Sequence, residues 1–312
     1  MAQVPTLDPA APAVRRTGLV QAISAYLLWG FLPLYFLLLK AVGPGEIVAH
    51  RILFSVVALL MVVAIARRWR QLRAAIVNPR VMGLLTLSAA FISINWLTYI
   101  WSVQNGHVLA SSLGYYLNPL VNVVLGMIAF GERLNRAQTI AVVLATAGVA
   151  ILAAGAGTAL WISLTLALAF GFYGMVRKIA PVDALEGLLV ETLILAPIAL
   201  GYLIWLAQSG ALAIGRDAGE SALMIGSGIV TAVPLLLFAA ATKRLPYSTV
   251  GLLQYIGPTI QFVLAVTLLG ETLTADYILC FALIWTGLFV YAGSGVMGSL
   301  RLRRERAAAA RA

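Results

Sequence analysis

Three ionisable side chains interrupt long apolar runs of the sequence: His50, Arg51 and Glu191. An ionised group costs at least about 2.5 kcal/mol at the centre of a membrane helix, so such residues need a partner or water and mark candidate functional sites. Because burial favours the neutral form of a carboxylate, Glu191 is a candidate proton carrier. Arg51 could instead reach the lipid headgroups, or pair directly with Glu191, and His50 could contact Glu46 at i,i+4 spacing.

A second set of side chains combines amides with aromatic rings. Asn95, Trp96 and Tyr99 share one face at helical spacing, and an amide beside aromatic rings can bind a flat or cationic solute. The predicted substrate-binding residues are Trp29, Asn95, Trp96, Tyr116, Asn118, Tyr173, Gln254 and Tyr255. Hydrogen bonding between helices, without a solute, is the alternative explanation for the buried amides.

One pattern of residues occurs twice, at 111–136 and at 250–275, with a constant offset of 139 residues. The repeat matches Tyr116 with Tyr255, Pro119 with Pro258, Asn122 with Gln261, and Gly131-Glu132 with Gly270-Glu271. Internal duplication explains such an offset. A proline inside an apolar helix removes a backbone hydrogen bond, so Pro119 and Pro258 are predicted hinges where the helices break.

The amino-acid composition indicates the kind of secondary structure that carries these residues. With 62% hydrophobic and 10% charged residues and a mean hydropathy of +0.98, the 312 residues have too little polar surface for a soluble domain. Apolar windows of about 20 residues predict an all-α polytopic membrane protein with ten transmembrane helices. The predicted spans are 17–38, 45–66, 81–101, 109–130, 137–154, 160–176, 185–207, 221–241, 248–269 and 276–297.

The formal net charge of +10 could indicate a nucleic-acid partner, but the positions of the charges favour another explanation. With a cytoplasmic N-terminus, 18 of the 21 Lys and Arg residues fall on the cytoplasmic side of the predicted spans. Lys40 and Arg216 fall on the outer side, and Arg51 lies within a span. The positive-inside rule therefore predicts that both termini are cytoplasmic, and no nucleic-acid partner is expected.

The repeat divides the chain into two units of five spans, at residues 17–155 and 156–298. An odd number of crossings per unit inverts the second unit relative to the first, as in many secondary transporters. Residues 1–16 are predicted to be a disordered cytoplasmic leader, and residues 299–312 a basic cytoplasmic tail. Small residues in spans five and ten are compatible with a monomer or a homodimer.

Several sequence signatures are absent. The sequence contains no G-x-x-x-x-G-K-[ST], H-E-x-x-H or G-x-S-x-G motif, and its only histidines are His50 and His107. The single cysteine, Cys280, excludes an internal disulfide. We therefore expect a protein that is not an enzyme and has no cofactor and no bound metal.

Specific motifs in the sequence resemble one transporter family. They are Trp29-Gly30 with Pro33, Tyr35-Phe36, Glu46-x-x-x-His50-Arg51, Asn95-Trp96, Ser112-Leu-Gly-Tyr-Tyr-Leu-Asn-Pro119-Leu-Val-Asn122, Gly131-Glu132-Arg133 and Gln254-Tyr255-Ile-Gly-Pro258-Thr. These motifs resemble the RarD-type, or chloramphenicol-sensitive, branch of the EamA transporters in the drug/metabolite transporter superfamily. The resemblance implies an inner-membrane permease of two inverted five-helix EamA repeats that exports small metabolites or drugs.

The sequence therefore predicts a secondary transporter that works by alternating access. Its central cavity would be built from spans one, three, four, six, eight and nine, with the lipid bilayer, a small-molecule substrate and protons as its partners. The alternative is a passive facilitator or channel for small solutes, in which the same polar residues would line a continuous pore.

Overall fold

Helices joined by short connections make up the part of the chain described by the structure, a computed structural model. That part comprises residues 12–130, 134, 136–154, 159–242, 244–245, 253–290 and 293. Its eleven helices are α1 (Pro12–Leu37), α2 (Pro44–Ile65), α3 (Trp69–Val77), α4 (Pro79–Gln104), α5 (Val108–Phe130), α6 (Arg136–Ala154), α7 (Leu160–Ile179), α8 (Ala184–Gln208), α9 (Ala218–Thr242), α10 (Ile256–Thr267) and α11 (Ala275–Val290).

Seven of these helices are long and apolar enough to cross a membrane: α1, α2, α4, α5, α7, α8 and α9. Three shorter apolar segments, Thr139–Ala154 of α6, α10 and α11, cover parts of the other predicted spans. The prediction of an all-α polytopic membrane protein is therefore confirmed. The motif residues Gly131, Glu132 and Arg133 and the stretch 246–252 lie outside the described residues.

Helix α3 was not predicted. It is amphipathic: Leu72 and Ala75 are buried, while its arginines face outward, and it packs against α4 and α8. A nine-residue helix with this charge gives no signal in a search for apolar spans. Asn78 then caps the next helix, because its side-chain oxygen accepts hydrogen bonds from the backbone N–H groups of Arg80 and Val81 at 3.0 and 3.2 Å.

The leader and the two prolines can now be placed in their helices. Helix α1 begins at Pro12, so residues 12–16, which were expected to be disordered, are helical; proline is well tolerated at the first position of a helix. Helix α5 continues through Pro119, which removes one backbone hydrogen bond without ending the helix. Pro258 lies in the first turn of α10, where no N–H bond is needed. Leu253 is helical and a turn at 254–255 separates it from α10, so the chain leaves helical geometry just before Pro258.

Helix packing places the candidate residues between α1, α2, α4, α5, α7, α8 and α9. Helix α2 packs against α8 and α9, α1 packs against α9 and α10, and α7 packs against α4 and α5. Helix α4 also contacts α2 and α8, so it lies between elements that carry the buried charges. The largest cluster of buried apolar residues joins α1, α2, α4 and α5 with α6 to α11.

Polar contacts identify the two ends of the bundle. At the first, the Glu46 carboxylate accepts a hydrogen bond from the Ala213 N–H at 2.8 Å, and Gln104 donates to two carbonyls of the α1–α2 connection at 2.9 Å. We call this the Glu46 end. At the other, the Nε of Arg68 lies 2.6 Å from a carboxylate oxygen of Glu186 at the start of α8. We call this the Arg68 end.

The small residues of α6 and α11 lie at the contact between these two helices. A Cβ added at Gly287 would lie 3.1 Å from the Ala141 backbone, and one at Gly148 would lie 3.1 Å from the Cys280 carbonyl oxygen. Ala141 and Ala145 are accordingly buried. The two helices therefore approach closely, which the absence of side chains at these glycines permits.

Candidate functional site

Arg51 is buried among aromatic rings, with 6% of its surface exposed. Its Nε donates a hydrogen bond to the Oγ1 of Thr231 on α9 at 2.6 Å. The guanidinium carbon lies 4.4 Å from the centre of a Trp96 ring and 6.0 Å from that of Phe36. Arg51 therefore does not extend to the headgroups, since cation–π contacts hold its charge inside the bundle.

The aromatic surroundings of Arg51 are themselves connected by polar groups. Tyr99 packs edge-on against both Phe36 and Tyr115, at 6.0 and 5.6 Å between ring centroids. The Tyr115 hydroxyl donates to the Asn95 Oδ1 at 3.2 Å, and the Asn95 amide donates to the Leu166 carbonyl of α7 at 3.2 Å. The Arg51 cluster is defined as Phe36, Arg51, Asn95, Trp96, Tyr99, Tyr115 and Thr231.

Glu191 occupies a different environment. Its side chain is completely buried, and its Oε1 accepts a hydrogen bond from the Ser88 hydroxyl at 2.6 Å. The Nη1 of Arg177 lies 3.5 Å from the same oxygen, and the Tyr173 hydroxyl also interacts with the carboxylate. Space for the guanidinium comes from Gly187, where an added Cβ would overlap with Nη1 of Arg177. The Glu191 cluster is defined as Ser88, Tyr173, Arg177, Gly187 and Glu191.

Arg51 and Glu191 do not pair with each other. Their neighbours on α4 are Trp96 and Ser88, which are eight residues apart and therefore about 12 Å apart along the helix axis. Ion pairs in the described part of the chain join Arg68 to Asp183 and Glu186, and Arg177 to Glu191. The direct ion pair considered from the sequence is thus absent, and Arg51 has no carboxylate partner within the described ranges.

His50 makes a local contact. It is 4% exposed, and its Nδ1 donates to the Glu46 carbonyl at 3.0 Å, one turn earlier on α2. The Glu46 carboxylate points elsewhere and accepts from the backbone N–H groups of Ala213 and Ile214 at 2.8 and 3.2 Å. The expected i,i+4 contact is present, but through the backbone of Glu46.

The two copies of the repeated stretch meet in space. Tyr116 of α5 stacks on Tyr255 with a centroid distance of 6.0 Å and an interplanar angle of 17°. Its hydroxyl shares a hydrogen bond of 2.6 Å with the Thr259 hydroxyl. Ser112 donates to the Pro258 carbonyl at 2.7 Å. The structure therefore brings together Tyr116, Tyr255 and Pro258 where α5 meets the start of α10. Gln254 is half-buried in the turn that precedes α10.

The remaining predicted residues are distributed around these groups. Asn118 is 5% exposed, and its Oδ1 has no hydrogen-bond partner within the described part of the chain. Asn122 is exposed one turn later, so the two amides do not form one buried stripe. Trp29 packs against Tyr26 and Phe238 at 5.6 and 5.8 Å, which places it in a separate aromatic group.

Sequence reasoning missed several partners. Thr231 and Ser88 carry no motif, and Arg177 was interpreted only as a topology signal. The Gly-Glu pair within the repeat, however, includes a residue with a defined contact. Glu271 accepts hydrogen bonds from the Val108 and Leu109 N–H groups at the start of α5, at 2.6 and 2.9 Å. Burial raises the pKa of Glu271, and these two N–H groups act in the opposite direction.

Comparisons with known proteins agree with this architecture. The EamA-like transporter family matches residues 16–154. Protein RarD of Escherichia coli (strain K12) is 45% identical over 88% of this chain and 94% of its own length. An uncharacterized transporter of Vibrio cholerae is 43% identical over 93% of this chain and 97% of its own. One solved crystal structure, at 20% identity, covers 88% of this chain and 97% of that chain with a TM-score of 0.58, which supports the fold alone.

The apolar helices indicate a multi-pass membrane protein, and the family match and the relatives place it in the transporter class. The chain belongs to the RarD-type branch of the EamA-like transporter family, as the motif resemblance predicted. It is a membrane transporter of the drug/metabolite type. Within the ranges described, no three His, Cys, Asp or Glu side chains lie together as metal ligands.

Proposed function

We propose that the protein is a proton-coupled secondary transporter of the inner membrane that exports small metabolites or drugs by alternating access. The observation that carries this proposal is the Glu191 cluster, in which a fully buried carboxylate contacts Ser88 of α4 and Arg177 of α7 from its position on α8. Protonation of Glu191 removes its attraction to Arg177. Loss of that attraction would change how α7 and α8 pack, and this couples proton binding to helix movement.

A layout of two inverted five-helix repeats is supported by a reciprocal glycine contact. A Cβ at Gly30 of α1 would lie 2.8 Å from Ile260 of α10, and one at Gly171 of α7 would lie 2.5 Å from Val121 of α5. Val121 and Ile260 are equivalent at the 139-residue offset, and Gly30 and Gly171 belong to matching Trp-Gly and Phe-Gly motifs. In each half, the glycine of the first helix therefore packs against the equivalent aliphatic side chain from the other half, as expected for related units.

The positions of the basic residues support cytoplasmic termini. The Arg68 end carries the basic residues that follow α2, Arg80 at the start of α4, and Arg177 and Lys178 at the end of α7. The Glu46 end carries Lys40 and Arg216. The positive-inside rule then assigns the Arg68 end to the cytoplasm.

Alternating access requires that each end of the bundle can open. At the Arg68 end, Arg68 joins the α2–α3 corner to Asp183 and Glu186 at the start of α8. At the Glu46 end, the Glu46 carboxylate joins α2 to the α8–α9 connection. Both contacts span elements that must separate during transport, so they are the candidate gates of the two sides.

The test begins with a counterflow screen in proteoliposomes against amino acids, aromatic metabolites and amphenicols. With a solute that exchanges, Glu191→Gln should abolish accumulation driven by a proton gradient while counterflow, which needs no gradient, continues. Glu220→Gln, in the first turn of α9, is the matched control and should behave as wild type. Unchanged gradient-driven accumulation in Glu191→Gln would exclude this residue as the proton carrier.

A passive facilitator or channel is the second candidate, because a polar path between helices can also conduct solutes. Planar-bilayer recordings discriminate between the two. A carrier gives no single-channel steps, because each turnover moves few ions, whereas discrete conductance steps would favour the channel.

A further inference from the structure

We propose that Arg51 is the anion-binding residue of the substrate site, and that this site takes a monocarboxylate with a flat apolar body. The assignment rests on the transporter function proposed above and names the substrate class of the same protein. Three features of Arg51 support it: its charge, its unused hydrogen-bond donors and the rings around it.

The charge of Arg51 is not neutralised by the described part of the protein. Arg68 and Arg177, two half-buried arginines at helix interfaces, each have a carboxylate within ion-pair distance. Arg51 has aromatic rings instead, and a cation–π contact stabilises a cation without cancelling its charge. An anionic ligand would complete this environment, because buried charges in membrane helices are normally paired.

Hydrogen-bond donors remain available beside that charge. A guanidinium has five N–H donors, and the contacts of Arg51 in the described chain use only Nε, toward Thr231. The Tyr99 hydroxyl, which is buried and lies within electrostatic range of Arg51, has no partner in the same part of the chain. Two Nη groups and a hydroxyl match the two oxygens of a carboxylate, which guanidinium groups bind in a bidentate manner.

The site favours a single negative charge and an apolar body. One guanidinium balances one carboxylate, whereas a phosphate dianion would leave an excess charge in an apolar environment. Trp96, Phe36 and Tyr115 supply flat ring surfaces around the cation. The Arg51 cluster contains no acidic side chain, so the ammonium group of an α-amino acid would find no counter-ion there.

Calorimetric titration of the full-length chain in detergent micelles tests the proposal with matched probes. We expect 3-phenylpropionate to bind about 10- to 100-fold more tightly than 3-phenylpropionamide, because the charge-assisted hydrogen bonds are lost in the amide. Phenylalanine and 2-phenylethyl phosphate should both bind more weakly than 3-phenylpropionate. Equal binding of acid and amide, or tighter binding of the phosphate or the amino acid, would overturn the assignment.

Variants locate the binding. Arg51→Gln should remove the preference for acid over amide, Arg51→Lys should restore part of it, and Tyr99→Phe should reduce affinity for the acid several-fold. Arg80→Gln, at an exposed position, is the control for a lost arginine and should bind as wild type. If Arg51→Gln does not fold, Tyr99→Phe and the wild-type comparison of acid with amide still decide the question.

The outcomes separate this proposal from the proton-coupling proposal. Binding is measured at equilibrium without a gradient, so failure of proton coupling at Glu191 would leave the titrations unchanged. A full preference for the acid in a folded Arg51→Gln variant would overturn the Arg51 assignment, while gradient-driven transport could still depend on Glu191.

Discussion

Arg51 and Glu191 occupy matching positions in the two halves of the sequence, at an offset of 140 residues, yet their surroundings are opposite in character. Each side chain is hydrogen-bonded to a hydroxyl on a neighbouring helix, Thr231 of α9 for one and Ser88 of α4 for the other. Glu191 also has a counter-ion in Arg177, whereas the remaining contacts of Arg51 are aromatic.

This difference shows how related halves of a bundle can take different roles. In an ion pair the two charges largely cancel, and protonation of the carboxylate removes the attraction between the partners. An unpaired cation held by rings keeps its positive potential and remains able to attract an anion. The Glu191 cluster is thus suited to coupling, and the Arg51 cluster is suited to recognition.

The largest expected effect comes from Arg177→Leu, which gives Glu191 the unpaired state that Arg51 has in wild type. We expect a loss of about 3 kcal/mol in the free energy of unfolding, since removing one partner leaves a buried charge uncompensated. Denaturant titration in detergent micelles measures it. Lys178→Leu, at the neighbouring exposed position, should cost much less, and the double variant Arg177→Leu/Glu191→Gln should recover most of the loss. No recovery in the double variant would contradict the pairing.

Gly228→Ala, which affects the packing of α9 beside Arg51, should lower the free energy of unfolding by about 2 kcal/mol, measured by the same denaturant titration. The added Cβ would lie 2.6 Å from the backbone carbonyl of Phe54 on α2, which cannot move aside as a side chain can. Helix α9 would be displaced from α2 and would carry Thr231 with it. Gly226→Ala is the control on α9, because its Cβ would meet only the Tyr35 hydroxyl at 3.8 Å. Equal stability of the two variants would argue against this packing.

Thr231→Val removes the hydrogen bond to Arg51 and keeps the shape of the side chain. We expect a loss of about 1.5 kcal/mol, the lower limit for a hydrogen bond to a charged group, because the rings continue to stabilise the cation. Thr231→Ser retains the hydroxyl and should keep most of the stability. A valine variant as stable as wild type would mean that the rings alone hold Arg51.

The smallest change in stability is expected for Gly187→Ala. The Arg177 guanidinium must shift out of the space that it shares with the new Cβ, but its flexible side chain can stay within ion-pair range of Glu191. The greater helix propensity of alanine offsets part of the cost, so the net change should stay below about 1 kcal/mol. Proton-driven flux should nevertheless fall, because the geometry of the Arg177–Glu191 pair is altered. Gly201→Ala on the same helix meets no atom within 4 Å and should transport as wild type. Normal flux in Gly187→Ala would show that this geometry of the pair is not needed for coupling.

Local chemistry was sufficient to predict much of the fold. Apolar runs longer than a membrane thickness can only be buried as helices, so hydropathy identified the spans and made Arg51 and Glu191 conspicuous. The repeat also placed Tyr116 and Tyr255 at equivalent positions among the predicted substrate-binding residues, and the structure stacks the two rings on each other. Helix α3 was not predicted, because a short amphipathic helix contains no apolar window of membrane-spanning length.

The sequence by itself determined the membrane class, the family, and the presence of two charges that must be accommodated inside the bundle. Only the tertiary structure decided that Arg177 serves Glu191, that Trp96 and Thr231 hold Arg51, and that Asn118 is buried while Asn122 is exposed. The physical reason is that hydropathy and spacing are properties of one segment. Partners depend on the rotation and depth at which separate helices pack, and no single helix encodes them.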